Sequence, residues 1–294
     1  MFHGEQYCFM NKKIDFYKDL KPYVSCKDYM VSGESYQLGW NAQFDMLVTT
    51  PLPKDLSIYY KSEEYISHTD TNKTLFEKVY QGVRKYTLKR KLRLINSLQT
   101  SGKSLLDIGA GTADFLKICK DNDWSVEGVE PSNEARTIAS KKGIQLNENL
   151  NEIRSQKFDV ITLWHVLEHV ADLETYIHKL NSLLKDNGRL IIAVPNYKSY
   201  DAKYYHSFWA AYDAPRHVWH FSKNSISTLF SLANLNVEKI RPMKFDAYYV
   251  ALLSEKQKTG KMNPITAFRI GFLSNWKAIR SKEYSSLIYI LKKG

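Results

Sequence analysis

Between residues 104 and 195 short apolar runs alternate with stretches of helical pattern, and this alternation limits the possible folds more than any other feature of the chain. Ser104–Ile108 (SLLDI), Ser125–Glu130 (SVEGVE), Phe158–Trp164 (FDVITLW) and Arg189–Val194 (RLIIAV) read as strands, with a shorter apolar piece at Ile144-Gln145-Leu146. Between them, Phe115, Leu116 and Cys119 share a helical face, and a second helix runs from Ser132 to a left-handed stop at Gly143. Asp172 caps a third, which turns Leu173, Ile177, Leu180 and Leu184 inward before Gly188. Parallel neighbours need long crossovers, so the alternation predicts a doubly wound, mostly parallel α/β sheet covered on both faces. Further on, the pattern gives a helix from Ser222, a strand at Val237–Met243, a helical insertion over about 247–281 and a last strand at Ser286–Leu291.

Residues 1–95 have another texture. They are irregular and Tyr-rich, punctuated by Pro51 and Pro53, and end in an amphipathic pattern (Leu75, Val79, Val83, Leu88, Leu92, Ile95). The expected division is therefore an N-terminal irregular and helical lid region, 1–95, and an α/β domain, 96–294. With 44% hydrophobic and 25% charged residues in a chain of 294, the default is a folded protein rather than a disordered one. No apolar run reaches membrane-spanning length and the first twenty residues lack a leader pattern, which predicts a cytoplasmic protein without a membrane span. Cys8, Cys26 and Cys119 form no C-x-x-C pair, which argues against a disulfide framework or a four-thiolate zinc site. The formal charge is +11, and its densest run, Lys85–Arg93 (KYTLKRKLR), reads as a solvated helix face; no nucleic-acid partner is expected.

In a doubly wound sheet ligands sit beyond the carboxyl ends of the strands, where strand order reverses. The turn there is Asp107-Ile108-Gly109-Ala110-Gly111-Thr112-Ala113-Asp114. Its glycines allow a ligand close to backbone amides. A dinucleotide fingerprint would need a small residue where Asp114 stands, and a pyrophosphate would meet that carboxylate. A ligand with an amino acid moiety and a positive centre suits the turn better. Glu130, ending the second strand, is placed to accept both hydroxyl hydrogens of a ribose.

These segments, LLDIGAGTADFL, VEGVEPS, FDVITLWHVLEHV, LKDNGRLIIAVPN and DAPRHVWHFS, cover roughly 105–222 in an order and spacing that resemble class I S-adenosylmethionine-dependent methyltransferases, in particular the broad bacterial group that includes ubiquinone-biosynthesis-type enzymes. The resemblance implies a Rossmann-like sheet of seven strands, the last antiparallel, and S-adenosyl-L-methionine as cofactor. It implies that Asp107, Gly109, Ala110 and Gly111 hold the methionyl end and that Glu130, beside Pro131, holds the ribose. Trp164 and His165 would wall the adenine or sulfonium, and Tyr65 belongs to a lid segment, Tyr59–His68, that closes over the cofactor. Ala113 departs from the family's usual third glycine. Relatives often carry a small upstream zinc ribbon, of which only Cys26 remains here.

WHVLEH, residues 164–169, contains the H-x-x-E-H spacing of some zinc peptidases. It directly follows a strand, and the next helix is expected only at Asp172, so the two histidines need not share the helical face such a zinc site requires. Three roles are open to Glu168 and His169: a structural one, an acid/base pair acting on the acceptor, or, with His165, ligation of a divalent cation. Tyr212–His220 (YDAPRHVWH) offers Arg216, His217 and His220 to an anionic or ring-bearing acceptor. The candidate catalytic residues are His169, Glu168 and His217. The expected activity is methyl transfer to oxygen or carbon of a small or carrier-linked, anionic acceptor; the alternatives are an NAD(P)-dependent oxidoreductase, disfavoured by Asp114, and a non-catalytic cofactor-binding module.

Overall fold

A computed structural model describes residues 13–60, 75–153 and 156–294. Ten strands and eight helices are used below: β1 (Lys21–Lys27), β2 (Ser35–Asn41), β3 (Met46–Thr50), α1 (Leu75–Asn96), β4 (Ser104–Ile108), α2 (Asp114–Lys120), β5 (Ser125–Val129), α3 (Asn133–Lys141), β6 (Phe158–Trp164), α4 (Leu173–Leu183), β7 (Leu184–Pro195), α5 (Tyr200–Tyr205), β8 (Trp219–His220), α6 (Lys223–Ser231), β9 (Leu235–Pro242), α7 (Asp246–Thr259), α8 (Pro264–Ser281) and β10 (Ser286–Lys293).

The main sheet has the order β5-β4-β6-β7-β10-β9. β4 pairs in parallel with β5 and β6, and β6 with β7, while β10 runs antiparallel to both β7 and β9. The doubly wound α/β fold is as the alternation predicts, with the last strand reversed. The strand count is corrected: six strands form, not seven. The apolar piece at 144–146 makes a single parallel bridge, Val129 to Asn147, held by Asn147 N donating to Gly128 O at 2.9 Å and Glu130 N to Asn147 O at 2.9 Å. Three residues between Gly143 and the polar run NENL are too few for a full edge strand.

Alternation along each strand sends neighbours to opposite faces. Leu106, Ile161, Leu163 and Ile192 pack with α4 and α6 through Ile177, Leu180, Ile226 and Phe230. Leu105, Val160 and Ile191 pack on the other face with Leu94 and Ile95 of α1 and with Phe115, Leu116 and Cys119 of α2. Asp172 caps α4 and Ser132 caps α3, accepting from Thr175 N and Ala135 N; Gly143 leaves α3 at φ 75. The third predicted helix is shorter than its apolar pattern suggests, because Leu184 pairs with Phe158 as the first residue of β7.

The N-terminal region is more regular than its sequence texture. β1, β2 and β3 form an antiparallel meander, joined at its edge by β8. One face of this sheet, with Val24, Leu38 and Leu47, shares a core with Trp209, Tyr212 and Ile270. The insertion before β10 folds as α7 and α8, which approach closely at Gly271, where a Cβ would come within 3.0 Å of Tyr248 Cα.

Candidate functional site

Chain order reverses beside β4, so its carboxyl end and that of β6 border the crevice. The backbone leaves β4 through Gly109 (φ 70), Gly111 (φ 54) and Ala113 (φ 61) before α2 begins at Asp114. Ala113 thus holds the left-handed conformation that suits glycine, at a cost of about 1 kcal/mol. Gly109 N and Ala110 N donate to Val129 O at 2.8 and 3.0 Å, tying the turn to the end of β5. Among the described residues other than its chain neighbours, no atom lies within 4 Å of where a Gly111 side chain would stand, leaving open space there. Beside it, Glu130 accepts from Gly111 N at 2.8 Å through Oε2 and from Ser132 N at 2.9 Å through Oε1. Each oxygen keeps a further lone pair for a hydroxyl donor. Pro131 accepts from Arg136 through its carbonyl and leads into the cap of α3.

Asp114 is neutralised by Arg84 of α1 and by Lys142, whose Nζ lies 2.7 Å from Oδ1. Asp107 is buried under the turn and accepts from Thr162 Oγ1 at 2.6 Å; burial, opposed by Thr162 and Lys91, raises its carboxyl to about 6. Lys91 corrects the reading of the basic run as a solvated face. Lys85, Lys89, Arg90 and Arg93 are exposed, but Lys91 lies with its ammonium 4.1 Å from the Trp164 ring centroid, and burial, opposed by Asp107 and Asp246, lowers it to about 8. Its spacing from Leu88 and Ile95 put it on the apolar stripe, a signal the charge had masked.

His165 follows β6 at φ 58 and is held from two sides, Nδ1 3.3 Å from Glu168 Oε1 and Nε2 3.1 Å from Asp246 Oδ2. Burial opposes its charge, yet the two carboxylates outweigh it and raise the imidazole to about 10. His165 is accordingly a cation between two anions.

Leu167–His169 is a short 3-10 turn that puts Glu168 and His169 beside His217. His169 and His217 meet edge to face with centroids 4.5 Å apart. Nδ1 of His169 lies 3.1 Å from the Arg216 carbonyl, and Nδ1 of His217 lies 2.9 Å from the Ala211 carbonyl. A carbonyl only accepts, so both Nδ1 atoms are assigned as donors, which on a neutral His169 ring leaves Nε2 a bare lone pair. Glu168, 1% exposed, keeps Oε2 without a partner among the described residues. One ligand atom from each of Glu168, His169 and His217 falls within 4.8 Å of the others, the donor set of a divalent-cation site. This trio differs from the His165-Glu168-His169 set suggested by sequence, because His165 turns toward Asp246. Burial first, then His217, lowers His169 to about 4, so it is neutral. Burial works against the Glu168 charge, but His165 and the other imidazoles hold it below the usual carboxylate range.

Arg216 is not available to an acceptor. It is 1% exposed, with Nη2 3.1 Å from Asp28 Oδ1 and 2.5 Å from Asp213 Oδ1. His220 is likewise buried, its Nε2 3.0 Å from Thr49 Oγ1. Tyr60 brings its hydroxyl 3.0 Å from His169 Nδ1. Tyr65 and the rest of the lid segment to His68 lie outside the described residues. Asp246, which anchors His165 across 81 residues, carries no sequence signal, since only the fold brings it there, whereas Asp213 anchors Arg216 from three residues away within the DAPRHVWH segment.

A family profile described as a methyltransferase domain matches residues 80–240. Ubiquinone biosynthesis O-methyltransferase of Actinobacillus pleuropneumoniae is 30% identical over 109 residues, 32% of this chain and 47% of that protein. The enzyme of the same name from Coxiella burnetii is 29% identical over 110 residues, 34% of this chain and 47% of that one. The chain thus spans about half the length of the curated relatives it matches. Magnesium protoporphyrin IX methyltransferase from Synechocystis, solved with bound S-adenosylhomocysteine, superposes with a TM-score of 0.52 over 80% of this chain and 97% of that one; at 14% identity the likeness concerns the fold.

Proposed function

The chain belongs to the methyltransferase-domain family and is an S-adenosylmethionine-dependent methyltransferase, and from that premise we propose that it methylates an oxygen of a small or carrier-linked acceptor presented to Glu168, His169 and His217. The observation that carries this reading is the convergence of possible ligand atoms of Glu168, His169 and His217 within 4.8 Å, the first two of these residues following directly on the end of β6.

The chain's residues suit the cofactor. Gly111 leaves a cradle that a Cβ would fill, Glu130 offers lone pairs to ribose hydroxyls, and Asp107 puts a buried carboxyl beneath the turn. Bound there, the cofactor supplies a methyl already activated on a sulfonium. What remains for the protein is to align the acceptor, exclude water and remove a proton. An oxygen acquiring a methyl becomes strongly acidic, so even a weak base suffices to take its proton; neutral His169 Nε2 fits that task, and Glu168 stabilises the imidazolium that results. The Nδ1 hydrogen bond to Arg216 O fixes the ring for it.

A second reading rests on Glu168 Oε2, which is buried without a donor. With a ring nitrogen from each of His169 and His217 it would hold a divalent cation that binds and acidifies the acceptor oxygen.

The test is incubation with methyl-labelled cofactor and a metabolite extract, with the labelled product analysed by NMR. A labelled methoxy group is expected. Label on carbon or nitrogen, or no label at all, would sink the oxygen assignment.

A further inference from the structure

Behind Trp164, on the face covered by α1, lies a cleft of about 310 Å³ between α1, β9, β10 and the segment that leads into α7. Row pairing puts Trp164, Ala193, Ile288 and Arg241 side by side on this face. Five cationic side chains line it, Arg90, Lys91, Arg93, Arg241 and Lys244, against one carboxylate, Asp246, which already pairs with His165. Two donors in the lining are buried without a partner among the described residues, Trp164 Nε1 and Arg241 Nε. Orphaned buried donors cost free energy, and like charges gathered at a cleft repel, so the arrangement is at rest only with an acceptor-rich anion in place. Trp164 and Phe245 supply aromatic surface.

We propose that this cleft binds the anionic end, carboxylate or phosphate, of a methyl acceptor with a planar apolar body, with Arg241, Lys91 and the Trp164 indole as its donors. It replaces Arg216 as the anion site and rests on the methyl-transfer reading. A bound anion would also push the Lys91 ammonium back up toward its ordinary value.

The probes are phenyl phosphate and benzoate, with neutral benzyl alcohol as control, titrated calorimetrically into the full chain with and without S-adenosylhomocysteine. The anions should bind about tenfold or more tightly than the alcohol, and Arg241→Gln and Lys91→Gln should each erase most of that preference. S-adenosylhomocysteine affinity should stay unchanged in Arg241→Gln. Equal binding of alcohol and anions, or anion binding that survives the double variant, overturns the proposal. So does a loss of S-adenosylhomocysteine affinity in Arg241→Gln, which would assign these donors to the cofactor's own carboxylate. An anion that binds but receives its methyl on carbon counts against the oxygen reading and not against the cleft.

A separate observation concerns α8. Its inner face is made of Ala267, Ile270, Gly271, Ser274 and Ala278, all buried. Its outer face shows Ile265, Phe268, Phe272, Trp276 and Ile279 at 84, 64, 53, 59 and 57% exposure. At helical spacing these fall in one narrow stripe. The helix has no acidic residue, and from Lys261 to Lys282 the sequence has five basic residues and none acidic. An aromatic stripe edged by Arg269 and Arg280 complements an anionic, partly apolar surface. We infer that α8 docks on an anionic phospholipid surface. The chain should cosediment with phosphatidylcholine vesicles containing phosphatidylglycerol, less so in high salt, and hardly at all with phosphatidylcholine alone; Phe268→Ser with Trp276→Ser should abolish it. No cosedimentation, no preference for the anionic vesicles, or a dimer in light scattering that the same variant dissolves, which would give the stripe to a second copy, overturns the inference.

Discussion

Val166 occupies the space that a side chain at position 109 would need: a Cβ built on Gly109 would stand 2.4 Å from Val166 Cγ2. The turn that borders the cofactor cradle and the segment that carries Glu168 and His169 are thus in contact. Gly109→Ala should destabilise the fold by roughly 1–3 kcal/mol through overpacking and positive φ, and Val166→Ala should recover part of the loss. Urea unfolding of the two single variants and the double one measures this; strictly additive effects would mean the two residues do not constrain one another.

Among the described residues Gly111 has open space at φ 54, and in the proposed cofactor site a methyl there would meet cofactor rather than protein. Gly111→Ala should cost about 1 kcal/mol of stability yet weaken S-adenosylhomocysteine binding more than tenfold. Calorimetry beside thermal unfolding separates the two effects.

Removing the Glu130 carboxylate takes away the acceptor for Gly111 N and Ser132 N as well as the acceptor proposed for the ribose. Glu130→Ala is expected to lower cofactor affinity by more than tenfold, the size of two charge-assisted hydrogen bonds discounted for solvent. An unchanged dissociation constant would remove Glu130 from the ribose site.

His169→Ala should slow methyl transfer about a hundredfold, within the range for loss of a general base, with S-adenosylhomocysteine affinity nearly intact. Chelation then separates the readings of the cluster. Dialysis against EDTA leaves the rate unchanged if His169 acts as base alone, and abolishes it, restored by a divalent cation, if Glu168, His169 and His217 hold metal.

Arg216 sits between Asp28 and Asp213 with almost no exposure. Arg216→Met removes the cation shared by Asp28 and Asp213 and should cost about 3–5 kcal/mol. Burial by itself would raise both acids. For Asp28 the Ser32 and Met30 amides and Arg216, and for Asp213 Arg216 and His217, outweigh it and hold each below the ordinary value. A depressed folded value means the unfolded chain binds more protons in acid, so their stabilisation is complete above about pH 4–5 and lost as pH falls further. The acid branch of the stability curve should flatten in the Arg216 variant.

The strands, helix caps and glycine turn from β4 to β7 were legible because each is specified locally, by apolar period, by Ser132 and Asp172, and by Gly109 and Gly111. The sixth-strand count was not, since a bridge of one residue at Asn147 depends on how far an edge can extend rather than on pattern. In the site, Glu168 and His169 declare themselves by following a strand. The pairing of His165 with Asp246 spans 81 residues and that of Arg216 with Asp28 spans 188, distances over which sequence spacing carries no geometry. Lys91 was hidden for another reason, its charge having been weighed above its place on the apolar face of α1.

The union of β3 with the segment before β8 sets an order of events. Thr49 donates to the His217 carbonyl at 2.6 Å across 168 residues of chain. At roughly 5–20 residues per second, ribosomal synthesis leaves the rim of the first sheet uncovered for ~8–34 s until that partner emerges. The strand made early waits for the histidine made late, and His217 reaches its working place only when the nascent chain has returned to its own beginning.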